Sequence, residues 1–408
     1  MGKFQRPDPP KIYIYHIDHE NDRTYTENVV EYLESRGVPC RSITLNAEGS
    51  RPELQLCLDD GATAVLGYNS QLDHSWLPSG SFMAAAEQHG ITILQWILDH
   101  PSSRWPEFHS STAANSRFLL NSEQERQYFQ TYCLPGALTG TMGGVGPNRR
   151  SRIATLTRQS FMRRSVACMI PLNLRRVRSI AQNDEAISAF EGPLADAVHD
   201  AIASAQYDLI GSLQSHVTAV LAGRNQSVSR QTFNSLCHAV EQSVQTFRRL
   251  KIFATAQRYP VLIQSNESAA PFVQGSAASL ATNVAMQLTL AQMPLCRAVL
   301  SVSSTTDAIH DRTMNALNGG CVAIAEDNLA SRGLLKHNIN ALLFRYHDDS
   351  LDECLDIVCN QPERAYEIAQ AGMTLRDDPR VRFGQFHNII DLAQPAVEFG
   401  VRAPAGFR

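Results

Sequence analysis

The sequence contains no run of about 18 apolar residues, so no segment reads as a membrane-spanning helix. The opening stretch MGKFQRPDPPK has no apolar core of signal-peptide length. Its Met-Gly start is discounted as an acylation signal, because Arg6 stands where such a signal needs Ser or Thr. Nine cysteines, an odd number, form no C-x-x-C pair; Cys40, Cys57, Cys168, Cys296 and Cys321 lie in apolar segments and read as reduced, buried thiols of a cytoplasmic protein. Charge of one sign is not in excess: 36 basic and 40 acidic side chains give −4, so no global positive field recruits nucleic acid, and membrane contact is peripheral at most. Aromatics make up 7%, and the 23 Gly and 19 Pro are too few for a collagen-like or low-complexity chain. A first-strand G-x-G-x-x-G is also missing, which removes the usual nicotinamide fingerprint and leaves no cofactor expected.

What is present is an alternation of strand and helix patterns. Residues 11–18, 38–45, 62–69, 91–100 and 117–122 are apolar or β-rich runs, interleaved with helical stretches at 24–36, 52–60 and 82–90. Such a βαβα rhythm with continuous apolar strands predicts a parallel sheet covered on both faces. Residues 134–152 are rich in Gly and Pro without a periodic pattern and read as a linker or mobile loop. After a strand at 165–174 comes a long helical stretch, 185–258. The rhythm then resumes with strands at 259–266, 297–304, 321–327 and 340–346 and helices at 277–292, from Asp311, at 329–335, 350–360 and 362–373. The expected fold is α/β: a Rossmann-like domain over 1–150, a second over 151–390 with a helical insertion at about 185–258, and a tail from 391 to 408. The ligand belongs between the halves, at the carboxyl ends of the strands.

The most informative stretch is SVSSTTDAIHDRTMNALNGGCVAIAEDN, residues 301–328. A strand ends in hydroxylated residues including Ser303 and Ser304, a helix begins around His310, Asp311 and Arg312, and a glycine pair precedes a strand with an acidic tip. A helix N-terminus offers free N–H groups and partial positive charge, which suits a diphosphate, and Arg312 one turn in can add a bidentate contact. Without a ligand, Arg312 is a surface residue, His310 a cap and Glu326 a cap for the next helix.

Arg312, Ala316, Gly320 and Glu326-Asp327-Asn328, followed by NINALLFRYHDDSLDECLDIVCNQPERAYEIAQAG, resemble the C-terminal domain of GT-B glycosyltransferases of the CgeB-like group. The resemblance covers residues 297–390; the first 150 match in fold pattern alone. It implies a nucleotide diphosphate sugar bound mainly by the C-terminal domain, with Arg312 on the diphosphate, Glu326 near the ribose or sugar, and Asn328 and Ala330 donating at the next helix start. It also implies a hexosyltransferase-type enzyme whose acceptor, a glycan, a lipid-linked group or a protein, meets the N-terminal domain. Two departures stand out: Asn315 occupies a position that is often acidic in the family, and Leu334 falls where a second Glu completes the E-x7-E pair of many retaining relatives.

Candidates for the base that activates an acceptor hydroxyl come from the N-terminal half. HIDHEND, at the end of the first strand, offers His16 and Asp18, with His19 behind them; a metal site or a polar loop are the rival readings. WILDHPSSRW offers Asp99 and His100, held extended by Pro101, the alternative being a turn. Tyr68 and Asn69 end a third strand at the same crevice. Ten arginines and no acid lie between Arg126 and Arg178, attracting an anionic ligand or pairing with acids elsewhere. No D-x-D follows an apolar strand, so the expected transfer is metal-independent. The rivals are a non-catalytic nucleotide-sugar or glycan-binding protein of the same fold and an epimerase acting on the same donors.

Overall fold

The computed structural model describes residues 9–17, 20–45, 52–73, 75–77, 80–108, 115–143, 147–172, 187, 190–303, 307–378 and 386–394. Two of the candidate residues, Asp18 and Ser304, lie outside them, as does His19.

The first half forms β1 (Ile12–Ile17), β2 (Cys40–Leu45), β3 (Ala64–Tyr68), a small antiparallel pair β4 (Trp76–Leu77) and β5 (Gly80–Ser81), β6 (Thr92–Ile97), β7 (Ser116–Leu120) and β8 (Leu138–Thr141). All but the small pair join one parallel sheet, in the order β2-β1-β3-β6-β7-β8. In β1, Ile12 and Ile14 enter one core and Tyr13 and Tyr15 the other, which is why the strand shows no polar alternation. The second half contributes β9 (Val166–Pro171), β10 (Leu262–Ser265), β11 (Ser279–Thr282), β12 (Cys296–Ser301), β13 (Val322–Glu326) and β14 (Leu342–Phe344), a parallel sheet ordered β11-β10-β9-β12-β13-β14. Strand order reverses between β1 and β3 in the first sheet and between β9 and β12 in the second. These switch points open a crevice at the strands' carboxyl ends.

Three features depart from the sequence expectations. The supposed loop at 134–152 contains β8, an edge strand of small residues, Leu-Thr-Gly-Thr, that a helix from the far end of the chain covers. A Cβ on Gly140 would lie 3.0 Å from Leu392, and Asn388 Nδ2 donates to the Thr141 carbonyl at 2.6 Å. The helix expected over 277–292 is a strand, β11, followed by a helix, Met286–Gln292; Asn283, at φ 52°, makes the break. Helix His387–Ala393 runs into the stretch expected as a tail, and Phe386, Ile389 and Ala393 are buried with Tyr32, Trp96 and Leu119 of the first half.

The helical stretch is read from sequence as part of the second half, yet most of it covers the first. Helices Pro193–Ala205 and Leu213–Gly223 pack with Phe108, Phe118, Leu120, Tyr128 and Phe129. The long helix Arg230–Ala256, capped by Ser229, places Phe233, Leu236, Cys237, Val240 and Val244 on that core at helical spacing. Its far end turns Ile252, Phe253 and Ala256 into the core of the second sheet, against Ile263 and Leu300. All nine cysteines are unpaired, and seven of them are buried.

The halves also meet at a cluster of buried amides. Asn315 Oδ1 accepts from the Asn148 N–H and from Ser151 Oγ, both at 2.7 Å, and Asn318 Nδ2 donates to the Asn148 carbonyl at 2.9 Å. Asn148 Nδ2 in turn donates to Asn28 Oδ1 at 3.1 Å. The chain passing between the halves is therefore hydrogen-bonded to both. Gly320, at φ 61°, ends the helix Asp311–Asn318 where a Cβ would lie 2.7 Å from Ile153.

Candidate functional site

A cavity of about 200 Å³ lies between the ends of the two sheets. On the side of the second sheet it is lined by Leu172 after β9, by Val302 and Ser303 after β12, and by His310 and Arg312 at the helix start. Leu98, Asp99 and His100 after β6 face them, and Glu241, Gln245, Arg248 and Arg249 of the long helix form a third wall. The fold thus brings together Ser303, His310, Arg312, Asp99 and His100 from the sequence candidates. His16, Glu326, Asp327, Asn328 and Ala330 are not among the residues lining this cavity.

His310 caps its helix, with Nδ1 3.2 Å from the Arg312 amide and against the Asp311 carboxylate. Burial opposes the charge on Asp311, but His310 and Arg312 overcome it and hold the carboxyl down at about 2. Arg312 Nη1 lies 3.5 Å from His310 Nε2 at the cavity edge.

Glu326 is 2% exposed and fully engaged within the protein. One carboxyl oxygen accepts from the Ser303 N–H at 2.7 Å, the other from Tyr346 Oη at 2.7 Å, and Arg248 Nη1 lies 3.7 Å from the second. Burial raises the carboxyl above the usual range, against the pull of Arg248 and both hydrogen bonds. Arg248 also sits over the Tyr346 ring at 5.3 Å and donates to the Ala205, Gln206 and Asp208 carbonyls, stitching the helical stretch to the second sheet. Glu326 therefore holds Ser303 from behind. Asp327 is paired with Arg332 at 2.7 Å and Arg345 at 2.8 Å; burial works against its charge and the two guanidinium groups outweigh it. Asn328, rather than Glu326, caps the next helix, accepting from the Ser331 N–H at 2.7 Å. Ala330 lies inside that helix.

On the facing wall, Asp99 is half-buried, 3.3 Å from Arg104 Nη2 and 3.5 Å from Asn69 Nδ2. His100 is buried against the Tyr128 ring, centroids 4.8 Å apart. The Ser102 N–H donates to its Nδ1 at 3.2 Å, which assigns the neutral ring's proton to Nε2. Burial lowers its pKa further, in spite of Glu241, so His100 offers a hydrogen-bond donor and not a free lone pair. His16, 5% exposed, turns Nδ1 toward the Ile17 carbonyl at 2.9 Å and Nε2 toward Thr44 Oγ1 at 3.5 Å.

The arginine-rich stretch is largely paired where it is described. Arg126 meets Glu123, Arg150 meets Glu27, Arg158 meets Glu363, and Arg164 donates to the carbonyls of Cys296, Gly319 and Gly320. Arg175, Arg176 and Arg178 lie outside the described residues. The long helix, by contrast, supplies cavity residues that the sequence reading missed. A signal existed: Cys237, Glu241, Val244, Arg248 and Ile252 form one stripe, and two charges on an otherwise apolar face call for partners or a ligand.

Two parallel sheets with a switch point each, facing one another across such a cavity, have the GT-B architecture of glycosyltransferases. The β-glucosyltransferase that modifies DNA, solved in the presence and absence of uridine diphosphoglucose, superposes with a TM-score of 0.54 at 8% identity, over 94% of this chain and 99% of that one. Sucrose-phosphate synthase from Thermosynechococcus elongatus gives 0.53 at 9% identity, over 94% and 100%. Anabaena HepE in complex with UDP and glucose gives 0.51 at 10%, over 94% and 98%. No family profile matches the chain, and no curated protein is similar to it in sequence. Among the described residues no helix is long and apolar enough to cross a membrane.

Proposed function

We propose that the chain is a glycosyltransferase moving a sugar from a nucleotide diphosphate sugar to a hydroxyl acceptor. The observation that carries this reading is the cavity at the second sheet's switch point, with Arg312 and a capped helix start on one wall and Asp99 and His100 on the other. UDP and glucose, or uridine diphosphoglucose, accompany two of the structural neighbours, so a uridine diphosphate hexose is the first donor to test. Arg312, with the positive end of its helix behind it, neutralises the leaving diphosphate, work done by preorganised charge. Asp99 takes the proton from the acceptor hydroxyl, and His100 orients that hydroxyl through Nε2–H. Glu326 acts as a positioning residue that fixes Ser303. The pattern Arg312, Ala316, Gly320, Glu326-Asp327-Asn328 supports membership of the CgeB-like group, and the unpaired cysteines support a cytoplasmic site of action.

Thermal shift with UDP and uridine diphosphoglucose tests the donor site. UDP is expected to raise the melting temperature, and Arg312→Ala to weaken its apparent affinity about 10- to 100-fold, the loss of a charge-assisted contact. The reading fails if no nucleoside diphosphate stabilises the protein or if the variant responds as wild type does. Asp99→Asn should leave UDP affinity intact and lower kcat for transfer about 10²- to 10⁴-fold.

A further inference from the structure

Beside the cleft lies a second chamber, of about 60 Å³, which shares His100, Glu241, Gln245 and Arg248 with the first. Glu125 and the helical stretch around Leu213 complete its wall. Glu125 is 1% exposed and Glu241 6%, yet Glu125 Oε1 and Glu241 Oε2 have no hydrogen-bond partner among the described residues. The other oxygen of each is engaged: the Asn121 N–H donates to Glu125 Oε2 at 3.1 Å, and Gln245 Nε2 donates to Glu241 Oε1 at 2.9 Å. His238 Nδ1 stands 3.8 Å from Glu241 Oε2, beyond hydrogen-bond range. Two buried carboxyl oxygens without a hydrogen bond, one of them with His238 as a distant ionic neighbour, are costly unless something occupies the chamber.

Their chemistry restricts the occupant. Burial, with the negative charges of Asp307 and Glu241 nearby, keeps Glu125 in its acid form. Because Oε2 accepts from the Asn121 amide, the proton belongs on Oε1, which becomes a donor. His100 Nε2–H is a second donor, and Glu241 Oε2 is an acceptor. Hydroxyl groups, each both donor and acceptor, match such a set, while Ala205, Leu213 and Val244 offer apolar contact to C–H groups. An anion would face the Glu241 side chain, the guanidinium of Arg248 being engaged by the Ala205, Gln206 and Asp208 carbonyls and by Glu326. An ammonium would face two donors, Asp208 being taken by the Ile210 and Gly211 N–H groups and His216.

We infer that the acceptor presents a neutral, polyhydroxylated unit to this chamber, a glycan residue carrying neither phosphate nor amine, whose ring stays in the adjoining cleft while its hydroxyl groups enter the chamber. The inference rests on the proposed transfer function and names the acceptor class for it; Glu125 and Glu241 are specificity-determining residues.

The test uses the full chain saturated with UDP and follows melting temperature on titration with maltose, cellobiose and lactose, with glucose 6-phosphate and glucosamine as charged counterparts. At least one neutral disaccharide should stabilise the wild type, and neither charged sugar should do better. Glu241→Gln should weaken the sugar response about tenfold, the loss of one hydrogen bond to a charged group. Glu125→Leu should abolish the response, and Glu125→Gln, which keeps a donor at that point, should retain it. The UDP shift, preserved in all three, reports that each variant is folded. The inference is overturned if no neutral sugar stabilises the wild type, if a charged sugar binds better, or if folded Glu241→Gln and Glu125→Leu respond as wild type does. If those variants do not fold, the wild-type ranking of neutral against charged sugars decides. Should sugars bind in a Glu241-dependent way while UDP does not, the donor reading falls and the chamber stands.

Discussion

Asn315, where many members of the resembling family carry an acid, uses both halves of its amide: the oxygen accepts from Asn148 and Ser151, and Nδ2 donates to the Asp311 carbonyl at 2.9 Å. An aspartate would keep the two accepted bonds but set a carboxylate oxygen against that carbonyl. Asn315→Asp should therefore cost about 1–3 kcal/mol, read as a lower denaturation midpoint with an unchanged m-value. Asp311 gives a pH signature. Its carboxyl is held down at about 2 by His310 and Arg312 against burial, so its charged form stabilises the fold above about pH 4, and that contribution fades as pH falls toward 2. Asp311→Asn should flatten the acid limb of a stability–pH curve in that window. Glu125 has the opposite sign: burial raises its pKa, so holding it costs more as pH rises above the ordinary carboxylate range, and Glu125→Gln should gain stability over wild type at alkaline pH. Arg312, His310, Asp99 and His100 were legible in the sequence because they sit where a strand ends and a helix starts. Glu241 was not, because a side chain in mid-helix announces its surroundings only through the residues packed around it. That His100 lies at the cavity was legible, but its tautomer was not, since the Ser102 amide that fixes it is a matter of geometry.

Among the elements, the apolar strands were read to within a few residues, since continuous burial on both faces writes itself into composition, and so were helices Ser350–Asn360 and Pro362–Met373; the short capped helices Glu123–Tyr128 and Arg158–Met162 were not. Two of the four edge strands, β8 and β11, were missed as well. They are short, half-polar or small-residue segments whose strand character comes from a neighbour's backbone and, for β8, from the helix laid over it. That helix is anchored by Phe386, edge-on to Tyr32 at 5.6 Å and to Trp96 at 6.1 Å. Phe386→Ala should cost about 3–5 kcal/mol, the range for a fully buried phenylalanine, although the residue lies far along the chain from the core it fills. Circular dichroism during urea unfolding would measure it.

At the scale of the whole molecule, alternation and length led to two Rossmann-like bodies with a crevice, and the sheet orders agree with that reading. What sequence order could not convey is exchange between the bodies. The long helix, about 40 Å at 1.5 Å per residue, has one end in each core, and the His387–Ala393 helix returns to the first. The two bodies should consequently unfold together, in one calorimetric transition and not two.

The same threading sets a timetable for biosynthesis. The first body's strands are complete once Thr141 has been made, yet one side of its sheet stays uncovered until residues 193–256 arrive, and another until residues 386–394 have left the ribosome. Trp96, Phe118 and Phe129 wait, while the residues between Thr141 and these helices are made, with part of their apolar surface open to water, a period in which chaperones or neighbouring nascent chains meet the first sheet.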